Sequence, residues 1–147
     1  MKKENTPKGR ILVVDDHLST MEYAIMNLMN RGYQIQTANN VERALDLIDG
    51  GFDIYLIDRN FDRRADSIIP ALIEDWQAQY PRTYSGEQII EEIVKRVKPK
   101  PIIIGVGGYE GIHADKIGMD GCIDKLAIPD ELIPLIENIQ SNRRVRG

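Results

Sequence analysis

The sequence predicts an α/β fold, a doubly wound sheet of five parallel strands with helices on both faces, and three observations carry that prediction. Four short apolar runs of strand length, and one stretch of similar length that alternates in polarity, are spaced along the 147 residues. Between them lie stretches whose apolar residues recur at helical spacing. The runs alternate little in polarity, as strands buried on both faces must, and strands joined through helices pair in parallel. In such sheets ligands collect at the carboxyl ends of the strands, so the residues that close each run matter most.

Residues 11–14 (Ile-Leu-Val-Val) form the first strand. Ser19, with Glu22 three residues on, has the form of a capping box that starts a helix. Met21, Ala24, Ile25, Leu28 and Met29 then make one apolar stripe, Met26 completes a set of core methionines, and Gly32 ends the helix. Residues 33–38 alternate in polarity like a half-exposed edge strand, and Asn39 or Asn40 caps a helix with Val41, Ala44, Leu45 and Ile48 inward. Gly50-Gly51 closes it. The third strand is 52–57, the fourth 102–106 and the fifth 121–124. A helix beginning at Gly86, capped by Ser85 with Gln88 as partner, presents Ile89, Ile90, Ile93, Val94 and Val97. The last helix presents Leu132, Leu135, Ile136 and Ile139; a start near Asp130 puts Pro134 in its first turn, where proline costs least. Residues 1–9 and 141–147 read as flexible polar tails, leaving a single domain over 10–140.

Composition bounds the function. At 42% hydrophobic and 29% charged the chain can bury a core, and its net charge of −4 argues against direct nucleic-acid binding. Cys122 is alone, which excludes an internal disulfide or a thiolate metal site and favours a cytoplasmic setting. No run is long enough to span a membrane, and the N-terminus lacks an export signal core.

Asp15 and Asp16 follow the first strand, Asp58 the third and Lys125 the fifth, so all four fall on one sheet edge. Crowded carboxylates repel unless a hard cation sits among them. Mg2+ suits such a set, taking a few oxygen ligands together with water or phosphate, and a lysine opposite can hold the anion.

Three segments carry a family resemblance. Residues 11–17 (Ile-Leu-Val-Val-Asp-Asp-His), 54–60 (Ile-Tyr-Leu-Ile-Asp-Arg-Asn) and 118–125, ending Asp124-Lys125 and followed by Pro129-Asp130-Glu131-Leu132, resemble in order and separation the receiver domain of two-component response regulators. The resemblance spans 10–140 apart from one insertion. It implies the flavodoxin-like (CheY-like) arrangement, strand order 2-1-3-4-5. It further implies that Asp58 accepts a phosphoryl group from a histidine kinase, a phosphotransfer protein or a small phosphodonor. Asp16 would bind Mg2+ directly and Asp15 through water, with the Asp58 carboxylate and the Asn60 carbonyl completing the set. Lys125 would hold the phosphoryl oxygens. The implied output is binding to a downstream protein, with a homodimer as a further arrangement; no enzymatic action on an outside substrate is implied, since Asn60 stands where phosphotransferases of another strand-end-aspartate family carry an acid/base Asp.

The chain also departs from that family. Receivers carry Ser or Thr at the end of the fourth strand, where this chain has Gly105-Val106-Gly107-Gly108, and an aromatic residue on the fifth, where it has Cys122. Two accounts follow: the backbone amides of Gly105, Val106, Gly107 and Gly108 form an anion nest in place of the hydroxyl, or the chain is a pseudo-receiver, an interaction module independent of phosphorylation. Leu126 follows Lys125 where receivers carry proline, which removes the reason for a cis peptide there. Finally, residues 61–84 are an insertion. Ile69, Leu72, Ile73, Trp76 and Tyr80 fall at helical spacing within it, predicting an extra amphipathic helix over about 68–79, and Ile69, Leu72, Trp76 and Tyr80 suit a partner-binding surface.

Overall fold

Isoleucine, leucine and valine crowd the runs read as strands, and the computed structural model places them in one sheet. It describes residues 8–15, 17–59, 86–107 and 117–146. The strands are β1 (Gly9–Val14), β2 (Tyr33–Ala38), β3 (Ile54–Asp58), β4 (Ile102–Val106) and β5 (Gly121–Ile123); the helices are α1 (Glu22–Asn30), α2 (Val41–Leu47), α3 (Gly86–Arg96) and α4 (Ile128–Arg146). Every neighbouring pair is parallel, in the order β2-β1-β3-β4-β5.

Side chains alternate across each strand, and the two faces fill two cores. Ile11, Val13, Ile54, Leu56, Ile104 and Val106 pack with Ala24 and Leu28 of α1 and Leu132 and Ile136 of α4. Leu12, Val14, Tyr55, Ile57 and Ile103 pack on the other face with Ala44 of α2 and Ile89, Ile90 and Ile93 of α3. Each fully buried branched side chain contributes roughly 1.5–3 kcal/mol, and that burial makes the sheet a rigid platform for whatever its edge carries.

Element ends differ from expectation at several places, each for a local reason. The Ser19 capping box does not form: a 3-10 turn over Leu18–Met21 leads into α1, with no side-chain cap at His17 or Met21. Asp15 Oδ1 already accepts the His17 N–H at 2.8 Å, which turns the chain before Ser19 is reached. Of the three methionines only Met21 is core. Met26 and Met29 are 60% and 56% exposed, because a nine-residue helix buries one narrow stripe and these positions fall outside it. Asn40, not Asn39, caps α2, its Oδ1 accepting the Arg43 N–H at 2.8 Å. β1 begins at Gly9, which pairs with Tyr33, so the N-terminal tail is shorter than expected, and β3 begins at Ile54.

α4 is longer than expected at both ends. Asp124 accepts the Leu126 N–H at 2.8 Å and sets a 3-10 turn over Lys125–Ala127 that feeds directly into Ile128. Pro134 therefore lies past the first turn; it and Asp130, whose carbonyl loses its helical partner, are both exposed to solvent. The expected tail from 141 is helical to Arg146. Arg143 donates to the carbonyls of Lys100 (3.1 Å) and Pro101 (3.0 Å) and pairs with Asp120 at 3.2 Å, which fixes the last turns against the start of β4.

Candidate functional site

The register of β1 with β3 pairs Val14 with Ile57, so Asp15, one residue on, stands level with Asp58. Asp58 pairs with Val106, and Val106 with Ile123. Asp15, Asp58, Val106 and Ile123 therefore form the last rung of the sheet, two carboxylates followed by two apolar side chains. The Asp15 and Asp58 side chains are 1% and 5% exposed. Lys125, just past β5, reaches back across the rung: its Nζ is 3.2 Å from Asp15 Oδ2 and 3.6 Å from Asp58 Oδ2.

Among the described residues, Lys125 is the ammonium that lies near both buried carboxylates. The two Asp15 oxygens differ. Oδ1 is held by the His17 N–H, while Oδ2 is fully buried with no donor aligned on it, the Lys125 charge lying near but off any hydrogen-bond direction. A buried anionic oxygen without a hydrogen bond is expensive unless a cation completes it. All-oxygen donors suit a hard cation such as Mg2+, so the residues present fit that ion. Asp15 and Asp58 are the described members of the expected ligand set. Asp16 and Asn60 lie outside the described residues, and no group of three or more His, Cys, Asp or Glu side chains with metal-binding geometry occurs among those described.

The structure thus brings together three of the four residues the sequence set on one edge, Asp15, Asp58 and Lys125. Three of the four amides expected to form an anion nest are described. Gly107 donates its N–H to the Ile123 carbonyl at 2.9 Å, and Gly105 and Val106 are in the β4 ladders with β3 and β5, so none of the three turns its amide toward an anion over Asp58. Gly108 lies outside the described residues, as do the Ser85 cap and the inserted residues 61–84 with Ile69, Leu72, Trp76 and Tyr80. What sequence reading missed is the place of Val106. Its side chain is 1% exposed, inside the α1/α4 core and directly beside Asp58. Only the strand register identifies it. Cys122 is exposed on β5, and among the described residues the one cis peptide is Lys98–Pro99, so Lys125–Leu126 is trans.

No protein-family model matches the sequence, and no curated protein matches it. Solved structures do. A CheY-like response regulator receiver domain protein from Methanospirillum hungatei JF-1 superposes with a TM-score of 0.72 at 22% identity, over 97% of this chain and 100% of that one. The response regulator protein TrrA from Thermotoga maritima, in complex with Mg2+-BeF, gives 0.64 at 27% identity over 88% and 97%. A response regulator protein from Burkholderia pseudomallei, with a phosphorylated aspartic acid, calcium ion and citrate, gives 0.62 at 22% identity over 94% and 72%. The parallel order β2-β1-β3-β4-β5 with helices on both faces is the flavodoxin-like architecture. In particular, this is the fold of the CheY-like response regulator receiver domains.

Proposed function

We propose that this receiver-fold chain accepts a phosphoryl group on Asp58 and signals by binding another protein. The observation that carries the reading is the pair of buried carboxylates, Asp15 and Asp58, sharing the single ammonium of Lys125 at the carboxyl edge of the sheet. A carboxylate oxygen of Asp58 forms the new bond to phosphorus. The bond from phosphorus to the donor breaks, a P–N bond for a phosphohistidine or a P–O bond for a small acyl phosphate, and its electron pair leaves with the donor. Lys125, already within 3.6 Å of Asp58, pairs with the phosphoryl oxygens that arrive. Mg2+, when held by Asp15, Asp16, Asp58 and the Asn60 carbonyl, supplies the positive charge that offsets both the carboxylates and the transferring group. Burial of Asp58 keeps bulk water from the aspartyl phosphate.

The donor is a histidine kinase or phosphotransfer protein, and the recipient of the signal a downstream protein or a second copy of the chain. The role is regulatory rather than enzymatic, without direct nucleic-acid contact. No described helix is long and apolar enough to cross a membrane. The solved Thermotoga maritima protein with Mg2+-BeF supports the cation, and the one with a phosphorylated aspartic acid supports the acceptor type.

A second reading, the pseudo-receiver, is favoured by one observation: Val106, buried and without a polar atom, occupies the β4 position beside Asp58. Intact-protein mass spectrometry after incubation with Mg2+ and acetyl phosphate separates the two. A gain of one phosphoryl group in the wild type and none in Asp58→Asn supports the acceptor; no gain in either, with Mg2+ binding confirmed and a kinase panel also negative, selects the pseudo-receiver.

A further inference from the structure

β2 is an outer strand of the sheet and pairs with β1 alone. Asp15 donates its N–H to the Ala38 carbonyl at 3.0 Å, so Ala38 turns its peptide groups toward β1, and by alternation so do Gln36 and Gln34. Those of Thr37, Ile35 and Tyr33 therefore point outward. Arg43 marks that side, its Nε reaching the Thr37 carbonyl at 3.1 Å. Among the described residues nothing takes up the outward N–H or carbonyl of Ile35. Such an edge is a template for another strand, and edges are usually blunted by shortness, lysine, proline or a bulge. β5, at the opposite edge, is only three residues long. β2 has none of these devices: residues 33–38 (Tyr-Gln-Ile-Gln-Thr-Ala) carry no charge and no proline, and their register with β1 is unbroken.

We propose that β2 pairs with β2 of a second copy of this chain, antiparallel about a two-fold axis at Ile35, so that one continuous sheet crosses a homodimer. The pattern of the strand argues for a copy of itself as occupant. With Ile35 opposite Ile35, the two exchange their outward N–H and carbonyl groups, Tyr33 stands opposite Thr37, and Gln34 stands opposite Gln36. The glutamine pairs are self-complementary. Gln36 Oε1 lies 3.5 Å from Arg10 Nη2, which leaves its amide N–H groups to donate to Gln34 across the axis. An axis perpendicular to the sheet keeps each face on its own side. The α1 face of the joint therefore carries Met29 from each copy, a side chain that is 56% exposed and lines a groove with Tyr33 and Ile35. The pairing uses no side chain of the Asp15, Asp58 and Lys125 cluster, so it stands or falls apart from the acceptor reading.

Sedimentation equilibrium of the full chain from micromolar to near-millimolar concentration, with residue-resolved hydrogen exchange, tests the pairing. A monomer–dimer equilibrium is expected, in which the amides of Ile35 and Thr37 gain protection with concentration while those of Gln36 and Ala38, bonded to β1, do not change. Gln34 and Gln36 are both exposed, so substitutions there test the register without entering a core, and circular dichroism melts report the fold. Gln34→Lys with Gln36→Lys sets like charges opposite each other at both pairs and should weaken the dimer about tenfold or more. Gln34→Lys with Gln36→Glu sets opposite charges there and should hold the dimer at least as tightly as wild type. A dimer that both variants weaken alike, or leave within about twofold of wild type, overturns the proposal. So does a chain that stays monomeric, including one whose Ile35 and Thr37 amides are protected by an added peptide of residues 33–38, since the edge then takes an extended segment of another protein rather than a folded copy.

Discussion

Replacing Asp58 by Asn should stabilise the fold while removing the proposed acceptor. Asp15 and Asp58 are almost wholly buried and share the charge of Lys125, which is itself a third exposed and 0.4 Å nearer to Asp15, at 3.2 Å against 3.6 Å. Neutralising Asp58 keeps the closer ion pair and removes one of the two buried negative charges. At an effective dielectric constant of about 20, a charge pair at such distances is worth about 5 kcal/mol before desolvation, and exposure of the lysine reduces that several-fold. We therefore expect Asp58→Asn to gain about 1–2 kcal/mol, or roughly 3–6 °C in melting temperature for a domain of this size. The assay is thermal and urea unfolding of both proteins with EDTA and with saturating Mg2+. The cation should raise the wild type more than the variant and narrow the gap, because ligation stabilises the folded state by mass action. Lys125→Met should do the opposite in EDTA and lower stability, since it removes the ammonium that lies near both buried carboxylates. A variant that melts below wild type in EDTA, or a gap that Mg2+ leaves unchanged, would refute this account of the site's electrostatics.

Three further outcomes follow from other parts of the fold. A Cβ on Gly118, which has φ of +90°, would stand 2.5 Å from Val94 Cγ2 on α3. Gly118→Ala should cost about 2–4 kcal/mol through crowding and backbone strain, part of it recovered in the double variant with Val94→Ala, measured by urea unfolding. Tyr55 is buried, donates its hydroxyl proton to the Ile48 carbonyl, and has its pKa raised by burial, and next by the nearby Asp49 charge, to about 12. The unfolded tyrosine ionises from about pH 10, so the stability is intact below that pH and falls by roughly 1.4 kcal/mol per unit between pH 10 and 12; alkaline unfolding of the wild type should show that slope and Tyr55→Phe should lack it. Residues Arg59 and Gly86 are joined by a 2.9 Å hydrogen bond from the Gly86 N–H to the Arg59 carbonyl, and Arg59 also pairs with Glu87 at 3.3 Å. Deleting 61–84 turns that bond into the i to i+3 bond of a β-turn, Arg59-Asn60-Ser85-Gly86. The shortened chain should remain folded by circular dichroism, and a collapse of its melting transition would show that the insertion contributes to the core.

What could be read in the sequence divides by range. Strand positions and the shared edge of Asp15, Asp58 and Lys125 follow from local runs and from where each run stops, and both were legible. Element ends were not, because distant partners decide them. Arg143 looks like part of a solvated tail until Lys100, Pro101 and Asp120, between 23 and 43 residues earlier, are brought beneath it. The Ser19 capping box lost to a competitor four residues upstream, the Asp15 carboxylate, whose turn with His17 is part of the site itself. The absence of a hydroxyl after β4 was visible as composition, but which residue stands beside Asp58, and which way its amide points, depended on the pairing of Asp58 with Val106.

That pairing makes the site asymmetric. Toward β1 Asp58 has a second carboxylate; toward β4 and β5 it has Val106 and Ile123, whose side chains answer a change of charge only through van der Waals contact. Among the described residues, the charged connection across the rung is Lys125. Its backbone belongs to the 3-10 turn held by Asp124, and that turn runs without interruption into α4, whose far end is anchored to β4 through Arg143. A charge added to Asp58 therefore acts most strongly on the lysine at the head of α4, not on the side chain of β4. Leu126, next to that lysine and 91% exposed, occupies the part of the turn nearest to solvent. Coulomb forces at 3–4 Å between a buried carboxylate and a half-buried lysine exceed what a buried valine can transmit by dispersion alone, so the electrostatic consequences of a charge added at Asp58 fall first on Lys125 and the turn it heads.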